Sequence, residues 1–138
     1  MDCIFCKIVA GEIPSYKVYE DNDFFAFLDN SPLNPGHTLV IPKKHHRWVW
    51  DVPADKEAAP NIGDYYLVVG RLAQAIKKAF STDYVVSLVF GEAVPHAHVW
   101  LVPRFENDGH GAAIDLGNVK KLSHDEMEEV QRKIVENI

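Results

Sequence analysis

Between residues 94 and 104 the chain reads VPHAHVWLVPR, with His96, His98 and Trp100 at every second position and Ala97, Val99 and Leu101 between them. In an extended strand successive side chains point to opposite faces, so the first set shares one face and the second packs on the other. The alternation therefore predicts a strand over 96–102 that carries two imidazoles side by side. Imidazole near neutral pH can be a nucleophile, a proton carrier or a metal ligand. The spacing suits such a site, and by itself it equally suits a surface strand with incidental histidines.

The other segments must cover that strand and supply its partners. A chain of 138 residues, 47% of them hydrophobic, supports one domain spanning 1–138 with a real core. Fourteen basic against twenty acidic residues leave a net charge of −6, which argues against broad binding to nucleic acid or to an anionic membrane surface. Any phosphate site must be local. The first residues carry no basic segment followed by an apolar run, and no later run is long enough to span a bilayer, so a cytoplasmic location is expected. Both cysteines fall within the first six residues, which excludes a loop-closing disulfide framework.

Aromatic and apolar runs at 16–20 and 24–29 flank the polar turn Asp21, Asn22, Asp23 and predict a hairpin. Turn formers fill 30–36, and 37–42 reads as a short buried strand. Helical signals begin near Asp51, Val52 and Pro53. From 62 to 80 apolar residues recur at helical spacing, with Leu67, Val68, Leu72, Ala75, Ile76 and Ala79 as the stripe. The β-branched run 84–90 predicts a central strand, antiparallel to the histidine-bearing one. Residues 105–122 show no period and read as a surface excursion. Ser123 and Glu126 form a capping box ahead of Met127, Val130, Ile134 and Val135, so the C-terminal extension, 105–138, ends in an amphipathic helix that covers this domain or a second subunit.

Cys3 and Cys6 form C-x-x-C, a spacing that lets two thiolates grip one metal, lets two thiols cycle to a disulfide, or leaves them idle. A redox pair belongs between a strand and a helix, and here no strand precedes it. The group Lys43, Lys44, His45, His46, Arg47 is either a solvated turn or a source of a metal-binding imidazole and of cations for a phosphate.

Four motifs stand in one order: CIFCKI at 3–8, FLDNSP at 27–32, PGHTLVIPKKH at 35–45 and the histidine strand. Together they closely resemble the histidine triad (HIT) family of nucleotide hydrolases and transferases, over residues 3–104. The resemblance implies an α+β fold: a mainly antiparallel five-stranded sheet with a long helix and a C-terminal helix, paired as a homodimer. It also implies a purine nucleotide or nucleotide conjugate as substrate, and His98 as the nucleophile that attacks the α-phosphate to form a covalent nucleotidyl-histidine. Ile4, Phe5 and Phe27 would line the base pocket, Asp29 would accept from the ribose hydroxyls and Trp100 would touch substrate. By similarity to galactose-1-phosphate uridylyltransferase, Cys3, Cys6, His45 and His96 would hold a structural Zn²⁺, with His46 as the substitute for His45.

Two departures from the family pattern matter. Trp100 occupies the third histidine's place, and indole N–H donates a hydrogen bond but cannot shuttle a proton. The turn 90–95 lacks the polar groups that often precede the triad, and backbone donors, His37, His45 or His46 are the candidates to replace them. A nucleotide-binding regulatory protein with little turnover is therefore the alternative to an enzyme, and a small structural zinc module is the third reading.

Overall fold

The computed structural model describes residues 2–138. A short helix, α1 (Ile4–Val9), leads into strands β1 (Lys17–Glu20), β2 (Phe24–Leu28) and β3 (Thr38–Pro42); a 3₁₀ turn (Val49–Asp51) and the long helix α2 (Ile62–Phe80) precede β4 (Val85–Leu88), β5 (Val99–Pro103) and α3 (His124–Glu136). The five strands form one antiparallel sheet in the order β1-β2-β3-β5-β4. The α+β architecture is as expected.

Both faces of the sheet are covered, which explains why β2 and β3 are buried at every position and why FFAFL shows no polar alternation. Phe24, Ala26, Leu28, Val40, Val99 and Leu101 face α2 and α3, where they meet Tyr65, Leu72, Ile76, Val130 and Ile134. Phe25, Phe27, Leu39 and Ile41 face the opposite way and pack with Cys3, Phe5 and Ile8 of the N-terminal segment. The two-residue strand period thus sorts one sheet into a large core and a smaller one beneath α1.

Helix α2 runs over the expected residues. Asn61 caps it, its Oδ1 accepting from the Asp64 amide at 2.8 Å, and Ser81 closes it in the left-handed region at φ +51°. Its apolar stripe differs in one place: Leu67 is 73% exposed, whereas Tyr65 is fully buried and donates its hydroxyl to the Val40 carbonyl at 2.6 Å. At about 100° per residue, position 67 lies about 140° around the helix from Leu72, and position 65 lies about 20° from it. Val135 of α3 is likewise half exposed, while Met127, Val130 and Ile134 close the core. Helix α3 covers this domain, lying on α2 and β1. The signals at 51–53 mark only the 3₁₀ turn, and α2 starts later.

The histidine strand starts three residues later than expected, at Val99. Pro95 has no N–H, the His96 amide turns back to Val94 O at 2.8 Å, and the Ala97 amide bonds to His46 O at 2.7 Å. Residues 96–98 are therefore held by loop bonds, with His96 Nε2 on the Pro42 carbonyl at 2.8 Å in place of a ladder bond. The alternation of faces persists: Ala97 joins the large core, and His96 and His98 sit against Phe5. Among the described residues no helix is long and apolar enough to cross a membrane.

Candidate active site and metal cluster

Cys3 and Cys6 stand one helical turn apart at the start of α1, His45 follows β3, and His96 precedes β5. One ligand atom from each lies within 4.8 Å of all the others. Cys3 Sγ is 3.4 Å from His96 Nδ1, and Cys6 Sγ is 3.4 Å from His45 Nδ1 and 3.5 Å from His96 Nδ1. A tetrahedral ion with Zn–S near 2.3 Å and Zn–N near 2.0 Å sets sulfur and nitrogen ligands about 3.5 Å apart, so the quartet fits a metal ion. His46 is turned away, its Nδ1 on Lys44 O at 3.1 Å, which selects His45. The bond from His96 Nε2 to Pro42 O leaves Nδ1 with its lone pair directed at the sulfurs, the second-sphere arrangement that fixes a ligand tautomer. Burial holds the His96 imidazole near a pKa of about 4, hence neutral, and burial also raises the Cys6 thiol, a rise that a bound cation would oppose.

Two residues beyond this cluster, His98 is 4% exposed and lies edge-on to Phe5, with ring centroids 5.3 Å apart. Its Nδ1 is 2.7 Å from His96 O. A carbonyl only accepts, so Nδ1 carries the proton and Nε2 keeps a free lone pair. Burial lowers the His98 pKa, the His96 carbonyl and Asp29 oppose that shift, and Arg47 adds to it. The ring is neutral at pH 7, with a carboxylate near enough to steady it should it become charged.

Asp29 ends β2, where its Oδ1 accepts from the Ser31 amide at 2.8 Å and burial raises its carboxyl pKa. His37 is 1% exposed; its Nδ1 accepts from the Leu33 amide at 3.1 Å, so Nε2 carries a proton that has no hydrogen-bond partner and lies 3.7 Å from Asp29 Oδ2. Burial drives the His37 pKa down to about 4. Trp100 packs edge-on against His37 at 4.8 Å and Phe90 at 5.3 Å. Phe5 and Phe27 meet edge-on at 5.4 Å in the small core, and Ile4 is half exposed on the outside of α1.

The structure thus gathers Phe5, Asp29 and His37 around His98, sets Trp100 against His37, leaves Ile4 outside, and joins the four proposed ligands in one cluster. Sequence reasoning left out the role of Phe90 and offered Arg47 only as one of a basic group that could supply cations for a phosphate. Phe90 leans on Trp100, and Arg47, its guanidinium 3.7 Å over the Trp48 ring, bonds Gly91 O at 2.6 Å within electrostatic reach of His98. Phe90 has no sequence signature, and which cation of the basic group comes near His98 follows from how two loops meet.

A model of the HIT domain matches residues 10–107. The chain belongs to the HIT family. An uncharacterized HIT-like protein of Methanocaldococcus jannaschii is 39% identical over 129 residues, covering 91% of this chain and 95% of that one. The adenylylsulfatase HINT3 of Arabidopsis thaliana is 38% identical over 112 residues, 78% of this chain and 54% of that longer protein. Among solved structures, a Zn-bound histidine triad family protein from Mycobacterium smegmatis superposes with a TM-score of 0.78 at 29% identity, covering 99% of this chain and 93% of that one. The family match begins after both cysteines and ends at residue 107, before α3, so it spans the sheet, α2 and the His98 segment.

Proposed function

We propose that this HIT protein cleaves a nucleotide conjugate at its α-phosphate through a covalent nucleotidyl-histidine on His98. The observation that carries the reading is the 2.7 Å bond from His98 Nδ1–H to the His96 carbonyl, which leaves Nε2 as a neutral nucleophile on a rigid support. Nε2 donates its lone pair to phosphorus, the bond from phosphorus to the leaving group breaks, and the imidazole becomes a cation that the His96 carbonyl and Asp29 steady. Water then attacks the phosphoramidate, the P–N bond breaks, and His98 returns to neutrality as the water's proton goes to solvent. Phe5 and Phe27 line the base side and Asp29 accepts from the ribose; kinship with an adenylylsulfatase supports a nucleotide.

Trp100 occupies the third triad position, and the His37 it packs against is neutral and buried. Neither delivers a proton to a departing amine. Arg47 supplies charge instead, so leaving groups that depart as anions, such as sulfate or a phosphate chain, suit this site better than amines. The same shortage of acid supports the second reading, a nucleotide-binding protein with slow turnover.

Cys3, Cys6, His45 and His96 would hold one Zn²⁺. Four protein ligands would leave no open position, so the ion would be structural: Cys3, Cys6, His45 and His96 would through it join α1 to the loop after β3 and to the segment that carries His98. A Zn-bound structural relative supports the choice of metal.

The test is turnover of a diadenosine polyphosphate and of an adenosine phosphoramidate by wild type and His98→Ala, with acid-quenched protein examined for an AMP adduct. We expect an adduct on wild type alone, a loss of at least about 10³-fold in the variant, and faster turnover of the polyphosphate. Saturable nucleotide binding with neither adduct nor turnover would establish the second reading.

A further inference from the structure

Residues 105–122 contain no helix or strand, and most of them lie beyond the family match. Stretches of this length without secondary structure are uncommon in compact domains and are usually functional. This strap is fastened near both ends, around Asp108 and at Lys120. Asp108 is buried, its Oδ2 accepting from Arg104 Nε at 2.8 Å, Asn34 Nδ2 at 2.9 Å and the Phe105 amide at 3.1 Å, while its Oδ1 takes the His110 amide at 3.0 Å. Arg104 also donates to Gly111 O at 2.8 Å. That much is a buried anchor.

Beyond the anchor the strap grips one short loop. His110 Nε2 sits 2.8 Å from Leu33 O, Lys120 Nζ donates to the same carbonyl at 3.1 Å, and the Lys120 amide donates to Pro32 O at 2.7 Å. His110 Nδ1 accepts from the Asp115 amide at 3.0 Å, which puts its proton on Nε2 and makes it the donor to Leu33. The gripped loop is the one between Asp29 and His37. Within it the Leu33 amide donates to His37 Nδ1, the His37 amide to Asn34 O at 3.1 Å, the Asp29 amide to His37 O at 3.0 Å, and the Ser31 amide to the Asp29 carboxylate at 2.8 Å. Gly36, at φ +97°, fixes the far end, since a Cβ there would meet Phe80 at 2.6 Å and Pro103 at 2.9 Å. A continuous set of bonds therefore runs from the strap to the carboxylate beside His98.

We propose that the strap is a positioning device for the nucleotide pocket, with Asp108 as its anchor and His110 and Lys120 as the clasp that aims the Asp29 carboxylate. These are positioning residues: the strap is bonded to the loop, and only Asp29 is placed against the ribose. The inference rests on Asp29 as the ribose acceptor, a reading stated above. It assigns a role to a stretch that has no motif.

Asp108→Ala would leave Arg104 buried without its counter-charge and risks unfolding, so the decisive variant is the more exposed pair His110→Phe/Lys120→Met, with Lys120→Arg as the conservative control. Titration calorimetry with AMP and with 2′,3′-dideoxy-AMP reads ribose recognition apart from turnover. Hydrogen exchange at the Ser31 and Leu33 amides reads the loop itself. The double variant should lose about tenfold in affinity for AMP and less than about twofold for the dideoxy analogue, the effect of one hydrogen bond to a charged group going out of register. Exchange at both amides should quicken, and Lys120→Arg should behave as wild type. An unchanged AMP preference in the double variant overturns the proposal. Wild type that binds the two ligands equally overturns the ribose role of Asp29 and with it the binding half, while slow exchange surviving in the double variant overturns the mechanical half.

Discussion

His37 and His98 are both neutral for the same reason, burial, but they face different fates. His98 has its Nδ1–H paired and its Nε2 free to react; His37 has its Nδ1 paired and a buried N–H left over. An ordinary histidine takes up a proton near pH 6.5, whereas folded His37 resists until about 4. The unfolded chain therefore binds more protons through that window, and stability falls as pH drops from about 6.5 toward 4, with no cost above 6.5. The loss from this one residue is on the order of 3 kcal/mol by pH 4. His37→Asn keeps an acceptor for the Leu33 amide and cannot titrate. In urea unfolding at pH 7 and pH 4, wild type should lose more stability than the variant by about that amount; parallel losses would show that His37 is protonated in the fold. Spacing alone showed that Cys3 and Cys6 could share a ligand and that His96 and His98 share a face, because C-x-x-C and alternate histidines carry their geometry locally; the quartet and the role of His98 came from resemblance to the HIT family. His37 as a buried proton-bearing group was not, since its burial depends on Trp100 and on a loop closed by residues far along the chain.

Among the elements, α2 was readable over 62–80 because its period is local, although the signals at 51–53 opened a helical region too early, while the histidine strand was begun three residues too early because proline and a loop carbonyl end its ladder. Helix α1 is the element that most needs outside help. Six residues do not make a helix in water, where nucleation alone is costly. Burial of Cys3, Phe5 and Ile8 and the packing of Cys3 and Cys6 against His45 and His96 hold it down, and the proposed zinc would add to this. Protein purified without added metal should carry about one zinc per chain, and His45→Ala should lose it while His46→Ala keeps it. Chelation should expose two titratable thiols and lower the melting temperature by several degrees, about 3–5 °C for each 1 kcal/mol in a chain of this size. Far-UV circular dichroism should scarcely change, because only α1 is released. Metal-free protein with an unaltered melting temperature would remove the structural role.

At the scale of the whole molecule, the two edges of the sheet are treated differently. On β1, helix α3 lies against the strand and Gln131 donates to Lys17 O at 2.7 Å. On β4, Val85, Val86 and Leu88 are half-buried, Ser87 is exposed, and Tyr84 and Phe90 flank it at 50% and 46% exposure. An open apolar edge invites another strand, and two-fold pairing with a second copy satisfies it without leaving a free edge for a third. We propose that the protein is a homodimer joined along β4, with a mass of about twice 15.6 kDa, or about 31 kDa, by sedimentation. Val86→Lys, a charge on that edge, should yield a folded monomer. The position of β4 gives this a consequence for the chemistry. Leu88 pairs with Trp100, and Phe90 beyond it packs on the same indole, so the β4 edge ends beside Trp100, where the proposed leaving group would depart. If pairing shapes that side, the monomer should lose affinity for a polyphosphate substrate while still forming the adduct on His98; equal activity of monomer and dimer would confine the role of pairing to stability, and a monomeric wild type would refute the dimer outright.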